Sequence, residues 1–250
     1  MEDLAIVTGS ASGIGQACVR RLNKQGIPVV GMDLSEGSSS DLLAWVQGDI
    51  SEQSAWEAAL EKAAIFDRKP SILIFAAAYL TVGNVLTLTD EDWDRVFGVN
   101  VHGLVKGLRT FLPGMIEQKR GSIVTIGSVD SYMAEQGLVA YCASKGAVLQ
   151  MTKTIAVDHA RDGIRANCVC PGVTDTPFFR RHLDTASDPE QFVKVREERN
   201  PLGRLLDPDE VAAMAVFLTS DESSATTGAT IVVDAGLTAS FDFRTGEEGS

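Results

Sequence analysis

The sequence predicts an α/β fold: a parallel sheet with helices on both faces. Three observations carry this. Seven short runs of apolar and β-branched residues recur along the 250-residue chain. Segments with helix signals separate most of them, and strands alternating with helices are the mark of a parallel sheet covered on both faces. The first run is followed at once by a glycine-rich turn, TGSASGIG at 8–15, that opens the first helical segment.

The elements follow in order. LAIVT (4–8) is the first strand, and residues 14–25 after the turn form the first helix. IPVVGMD (27–33) and AWVQGD (44–49) are the next two strands. SEQSAWEAALEKAA (51–64) opens on Ser51 and reads as a helix, followed by the strand SILIFAA (71–77). TDEDWDRVF starts a long helix over 90–119, with acids in the first turn where the positive end of the helix dipole favours them. GSIVTIG (121–127), IRANCVC (164–170) and ATIVVDA (229–235) complete the strands, with the helix DPDEVAAMAVFLTS (207–220) before the last. No repeat or linker divides the chain, so residues 1–250 are read as one domain of ordinary α/β length. Residues 171–206 form a long irregular stretch, and 240–250 are expected to be a mobile tail.

Composition excludes several classes. The net charge is −12, so the basic stripe that phosphate contacts need is missing and nucleic acid is not an expected partner. No apolar run approaches the ~20 residues that cross a bilayer, and no membrane partner is expected. The opening MEDLAIVTGS has no basic segment followed by an apolar one, which predicts a cytoplasmic protein. Cys168 and Cys170 fall in a strand pattern without neighbouring ligands, so Cys18, Cys142, Cys168 and Cys170 are expected as reduced thiols, with no metal site.

Gly9, Gly13 and Gly15 in the turn allow a pyrophosphate to approach backbone N–H groups at the positive end of a helix. Asp33 ends the second strand, where an acid can accept from both ribose hydroxyls and repel a 2′-phosphate. No Lys or Arg lies in the turn, and Leu34 and Ser35 are neutral. The cofactor expected is therefore NAD. Later in the chain, YCASK places Tyr141, Ser144 and Lys145 at helical spacing, on one face.

With these residues in place the chain resembles the classical short-chain dehydrogenase/reductase family. The resemblance rests on TGSASGIG, Asp49-Ile50, Asn100 within GVNVHG, Ser128 after GSIVTIG, Tyr141-x-x-x-Lys145 and PGVTDTP at 171–177, in family order over nearly the whole chain. It implies a Rossmann-like domain with a seven-stranded sheet in order 3-2-1-4-5-6-7, and a homotetramer or dimer. It implies that Tyr141 exchanges the proton with the substrate oxygen, its phenolate favoured by the Lys145 ammonium and by the positive nicotinamide of the oxidised cofactor, and that Lys145 also holds the nicotinamide ribose. Ser128 would align the substrate oxygen, and Asn100 would hold a water of a proton relay. Gly9, Ser12, Gly13, Ile14, Gly15, Asp33, Leu34, Asp49, Ile50, Ala76 and Ala77 would line the adenosine and pyrophosphate side. Asn100, Tyr141, Lys145, Pro171, Gly172, Thr174 and Thr176 would line the nicotinamide side.

One departure stands out. FAAA, residues 75–78, replaces the Asn-Asn-Ala-Gly of many members. Weaker local order or compensating packing is expected there.

The reaction implied is NAD-dependent interconversion of a secondary alcohol and its ketone. The alternatives are an NADPH-using biosynthetic ketone or 3-oxoacyl reductase, which Asp33 disfavours, and a catalytically silent dinucleotide-binding protein. Substrate contacts are expected from 130–138, from 77–84 and from a lid over about 175–206. Tyr79, Tyr132, Met133, Phe178 and Phe179 suit a cyclic or otherwise apolar alcohol, whereas Glu135 and Gln136 suit a polyol or sugar. Arg180 and Arg181 raise the question of an anionic substrate; the alternative is a solvated face of mixed charge. His102, His159 and His182 receive no role.

Overall fold

The seven strands lie in the order β3-β2-β1-β4-β5-β6-β7, all parallel, in a computed structural model that describes residues 3–35, 41–66 and 68–239. They are β1 (Ala5–Thr8), β2 (Val29–Asp33), β3 (Ala44–Gln47), β4 (Ile72–Phe75), β5 (Gly121–Ile126), β6 (Ile164–Pro171) and β7 (Thr230–Val233). The expected tail at 240–250 lies outside the described residues.

β1 pairs with β2 through Ala5↔Val29 and with β4 through Ala5↔Ile72. Both faces of the central strands are buried, as their unbroken apolar runs require. On one face, α2 (Gln53–Ala64), α4 (Gly103–Gln118) and α5 (Val139–His159) pack over Trp56, Phe75, Leu104, Phe111 and Met115. Trp56 is fully buried, and its indole N–H donates to the Ile50 carbonyl at 2.8 Å. Gly107 makes room for it, since a Cβ there would lie 2.6 Å from the indole ring. On the other face, α1 (Gly13–Lys24) and α8 (Pro208–Thr219) pack Val19, Leu22, Val211 and Val216 against the sheet. Arg21 and Asp209 join these two helices in a forked pair at 2.8 and 2.5 Å.

Two elements differ from the sequence reading, each for a local reason. β4 ends at Phe75 because the N–H groups of Ala76 and Ala77 both donate to the Thr8 hydroxyl, at 3.1 Å each, instead of continuing the ladder. The helix expected over 90–119 is three pieces: α3 (Asp90–Phe97), a wide π-type turn at Gly98–His102, and α4. Such turns inside a helix often mark functional sites, and this one carries Asn100. The stretch 171–206 contains α6 (Pro177–Leu183) and α7 (Pro189–Arg199), each begun by a proline in its first turn and capped by Thr176 and Asp188.

Candidate active site

The strand order reverses between β1 and β4, and a crevice at such a reversal is where open α/β sheets bind ligands. A cleft of about 550 Å³ opens there, at the carboxyl ends of the strands. Every residue predicted for cofactor binding and catalysis except Asn100 lines it.

The floor at the nucleotide end is the glycine turn. Gly9 has φ +66°, and a Cβ on it would meet the Ala77 backbone at 2.8 Å. Only glycine satisfies both the left-handed backbone and that approach. A Cβ on Gly15 would sit 2.2 Å from the Gly9 carbonyl, so α1 begins directly against the turn. Ser12, the residue before α1, makes no side-chain cap bond. The first-turn N–H groups of α1 therefore face the cleft without a side-chain partner, an arrangement suited to a pyrophosphate.

Asp33 stands at the tip of β2. One carboxylate oxygen accepts from Ala11 N–H and the other from Ser35 N–H, both at 3.0 Å. Each oxygen keeps a further lone pair. Among the described residues, no lysine or arginine lines the cleft beside Leu34, Ser35, Gly48 and Asp49. Asp49 accepts from Ser51 N–H at 2.8 Å. The residues present thus fit the adenosine and pyrophosphate parts of a dinucleotide.

The FAAA segment has its compensation. The Thr8 hydroxyl holds Ala76 and Ala77, and Asn100 holds the next turn: its Oδ1 accepts from Tyr79 N–H at 2.8 Å and its Nδ2 donates to Tyr79 O at 2.9 Å. The same Nδ2 donates to Ser144 Oγ at 2.9 Å, and that hydroxyl donates to Tyr141 O at 2.7 Å. Asn100 is 5% exposed and lies behind the cleft wall. The structure therefore ties its side chain to the Tyr79 turn and to α5.

At the other end, Tyr141 and Lys145 sit one turn apart on α5, both buried. The Lys145 ammonium lies 5.5 Å from the Tyr141 ring centroid and donates to Ile126 O at 2.7 Å. Burial pulls the Lys145 pKa down to about 8. Burial and the negative charge of Asp130 push the Tyr141 phenol well up, against a smaller opposing effect of Ser128. The expected lowering of the phenol also needs the positive nicotinamide of the oxidised cofactor; in the protein alone desolvation of the phenolate sets the direction. Ser128 Oγ accepts from Asp130 N–H and donates to Asp130 Oδ2, both at 3.1 Å.

On the nicotinamide side, Gly172 passes so close to Asp234 that a Cβ would lie 3.0 Å from it. Thr174 donates to Gly172 O at 3.0 Å, and Thr176 caps α6 by accepting from Phe179 N–H at 3.1 Å. Phe178 packs against Tyr141 with ring centroids 6.1 Å apart. Tyr79, Phe178 and Phe179 line the cleft; Met133 instead lines a neighbouring chamber, and Tyr132 is 47% exposed.

Several cleft residues carried no sequence signal of their own. Asp130 was one letter in the 130–138 stretch. His182 lines the cleft, packed edge-on against Phe192 at 5.2 Å, and burial lowers its pKa. Arg196 closes on Glu135 at 2.6 Å and covers the Phe192 ring at 3.3 Å. Arg180 pairs with Asp175 at 3.0 Å, away from the cleft lining. The contacts of α6 and α7 come from tertiary packing, and only a paired Glu or Asp far along the chain would have signalled them.

Cys168 and Cys170 are buried reduced thiols with sulfurs 3.8 Å apart. Among the described residues, no three His, Cys, Asp or Glu gather as metal ligands, and no helix is long and apolar enough to cross a membrane.

The fold and the cleft define a dinucleotide-binding oxidoreductase. Comparison with known proteins agrees. A family model described as enoyl-(acyl carrier protein) reductase matches residues 9–238. A rat protein, dehydrogenase/reductase SDR family member 6, is 32% identical over 234 residues, covering 92% of this chain and 95% of its own. Meso-2,3-butanediol dehydrogenase of Serratia marcescens is 34% identical over 245 residues, with 95% of each chain covered. The ligand-free structure of Thermoplasma acidophilum aldohexose dehydrogenase superposes with a TM-score of 0.91 at 30% identity, covering 98% of each chain. The chain belongs to the short-chain dehydrogenase/reductase family, whose members bind nicotinamide dinucleotides.

Proposed function

We propose that this protein is an NAD-dependent dehydrogenase that interconverts a secondary alcohol and its ketone. One observation carries the choice of cofactor. The Asp33 carboxylate is pinned at the tip of β2 by Ala11 and Ser35, and its neighbours in the lining, Leu34, Ser35, Gly48 and Asp49, carry no positive charge. A ribose diol is the natural donor to it, and a 2′-phosphate meets a negative charge instead.

When bound, the cofactor supplies the hydride acceptor and, in its oxidised form, a positive charge. The chain does the rest. Ser128 and Tyr141 bracket the substrate oxygen and orient it. Tyr141 takes the alcohol proton in oxidation and returns it in reduction. Its buried phenol is held protonated in the protein alone, the form that donates to a ketone. Oxidation requires added positive charge near the ring, to which the Lys145 ammonium at 5.5 Å contributes. Phe178 and Phe179 shield the reacting atoms from water.

The relatives named for butanediol and for aldohexose oxidation support an alcohol substrate. The test is absorbance at 340 nm with NAD or NADP and a panel of secondary alcohols, polyols and sugars. Turnover with NAD that exceeds turnover with NADP is expected. Equal or better use of NADP would overturn the cofactor assignment, and tight NADH binding with a silent panel would favour a binding protein.

A further inference from the structure

The wall of the cleft opposite the cofactor holds a carboxylate that the hydride and proton transfers leave unused. Asp130 lies in the short turn Val129–Ser131, two residues after Ser128. It lines both the active-site cleft and a second chamber of about 450 Å³ that continues past Glu135 and Arg196. Its Oδ2 accepts from the Ser128 hydroxyl at 3.1 Å. Among the described residues that is the one hydrogen bond donated to this carboxylate. Burial and the neighbouring Glu135 charge push its pKa up to about 6.

A carboxylate has about four acceptor sites, and a largely buried one is costly until donors fill them. Arg196 is committed to Glu135 at 2.6 Å and Lys145 to Ile126 O at 2.7 Å. The carboxylate lines the open cleft, so water fills its remaining sites until a ligand's donor displaces it. That donor's position follows from Ser128. In the reading above the reacting oxygen would sit a hydrogen bond from Ser128 Oγ, and Asp130 Oδ2 lies 3.1 Å from that same atom. A donor on the carbon next to the reacting one reaches Asp130. Glu135 is neutralised by Arg196, so the charge a ligand meets at Asp130 is the carboxylate's own, which favours a neutral hydroxyl donor.

We propose that the substrate is a 1,2-diol, or in reduction the matching α-hydroxy ketone, and that Asp130 receives its second hydroxyl. This rests on the dehydrogenase reading above. The carbinol C–H leaves as hydride to the oxidised nicotinamide, its O–H proton passes to Tyr141, and the second hydroxyl is not oxidised. Chain length beyond the diol extends into the second chamber toward Gln136 and Arg199.

The experiment compares kcat/KM with NAD for matched pairs: butane-2,3-diol against butan-2-ol, and trans-cyclohexane-1,2-diol against cyclohexanol. A charge-assisted hydrogen bond corresponds to a diol preference of roughly 10–100-fold in the wild type. Asp130→Ala lowers both rates, because Ser128 loses its partner, and brings the preference close to one. Asp130→Asn, which keeps the shape and a neutral acceptor, retains a few-fold preference; NADH binding by both variants shows that they are folded. A wild type that uses mono-alcohols as well as diols would overturn the proposal. So would a preference that survives in Asp130→Ala, where Asp130 would only position Ser128, or a preference for the matched 1,2-amino alcohol. No turnover of any pair would overturn the dehydrogenase reading beneath it.

Discussion

Replacing Asp33 tests how the nucleotide end of the cleft chooses its cofactor. The carboxylate has two oxygens, each already holding one backbone N–H at 3.0 Å and each able to accept once more. Two hydrogen bonds from ribose hydroxyls to a charged acceptor contribute about 1.5–3 kcal/mol each and are not fully additive. A loss of about 3–4 kcal/mol on Asp33→Ala raises KM for NAD roughly 10²–10³-fold. Because the contact is far from the reacting carbon and equal in ground and transition states, kcat is expected to change little. NADP gains at the same time, since a like-charge contact on the order of 1–3 kcal/mol disappears. The assay is kcat/KM for both cofactors, with one alcohol, in wild type, Asp33→Ala and Asp33→Asn. The Asn variant still accepts from a backbone N–H and should fall between the other two. An unchanged KM for NAD in Asp33→Ala would refute the placement of the ribose, and a fall in kcat alone would mean that Asp33 acts by holding the glycine turn through Ala11.

Tyr141→Phe is expected to lower kcat by roughly 10²–10⁴-fold while leaving NADH binding intact, as titration of NADH fluorescence would show; substantial turnover in this variant would take the proton transfer away from Tyr141. Asn100→Ala strands the Tyr79 N–H and C=O and the Ser144 contact, for a loss of about 2–4 kcal/mol, seen as a fall in Tm of roughly 5–15 °C. If Tm holds and only turnover falls, Asn100 serves the proton relay more than the fold. Asp130 has its folded pKa raised to about 6 from 3.8, so between those values the native state binds more protons than the unfolded chain and its ionisation weakens the fold as pH rises. Glu135 adds to this penalty, and Lys145 and Arg196 offset it. Asp130→Asn should therefore melt above the wild type at pH 8, with the gap closing as pH falls through 6 toward 4; a gap independent of pH would refute the linkage.

Much of the site was legible because the fold reads it from local chain geometry. The glycines at 9, 13 and 15, the acid at the end of the second strand, and the tyrosine and lysine one helical turn apart are short-range patterns. The seven strands were legible because buried parallel strands must be apolar throughout; their order was implied by the family resemblance. What escaped the sequence depends on partners far apart in the chain. FAAA read as a loss of side-chain amides, yet Thr8 and Asn100, 68 and 21 residues from the backbone groups they hold, supply the bonds. His182 received no role from the sequence, and the packing of α6 against α7 brings it to the cleft.

The sequence by itself determined the layers of the fold, the nucleotide turn and the candidate catalytic face of α5, because each is written in spacing along one or two elements. The tertiary structure alone decided the electrostatics. Tyr141 read from spacing beside Lys145 looks like a phenol ready to ionise; enclosed by β5, α5 and α6 it is held protonated, because burial removes the water that would stabilise its anion. Asp130 became a candidate substrate contact because folding places it in the cleft, and Arg180 ceased to be one because it pairs with Asp175 outside it. What a charge can do depends on its solvent and its partners, and those are assembled only when the chain is folded.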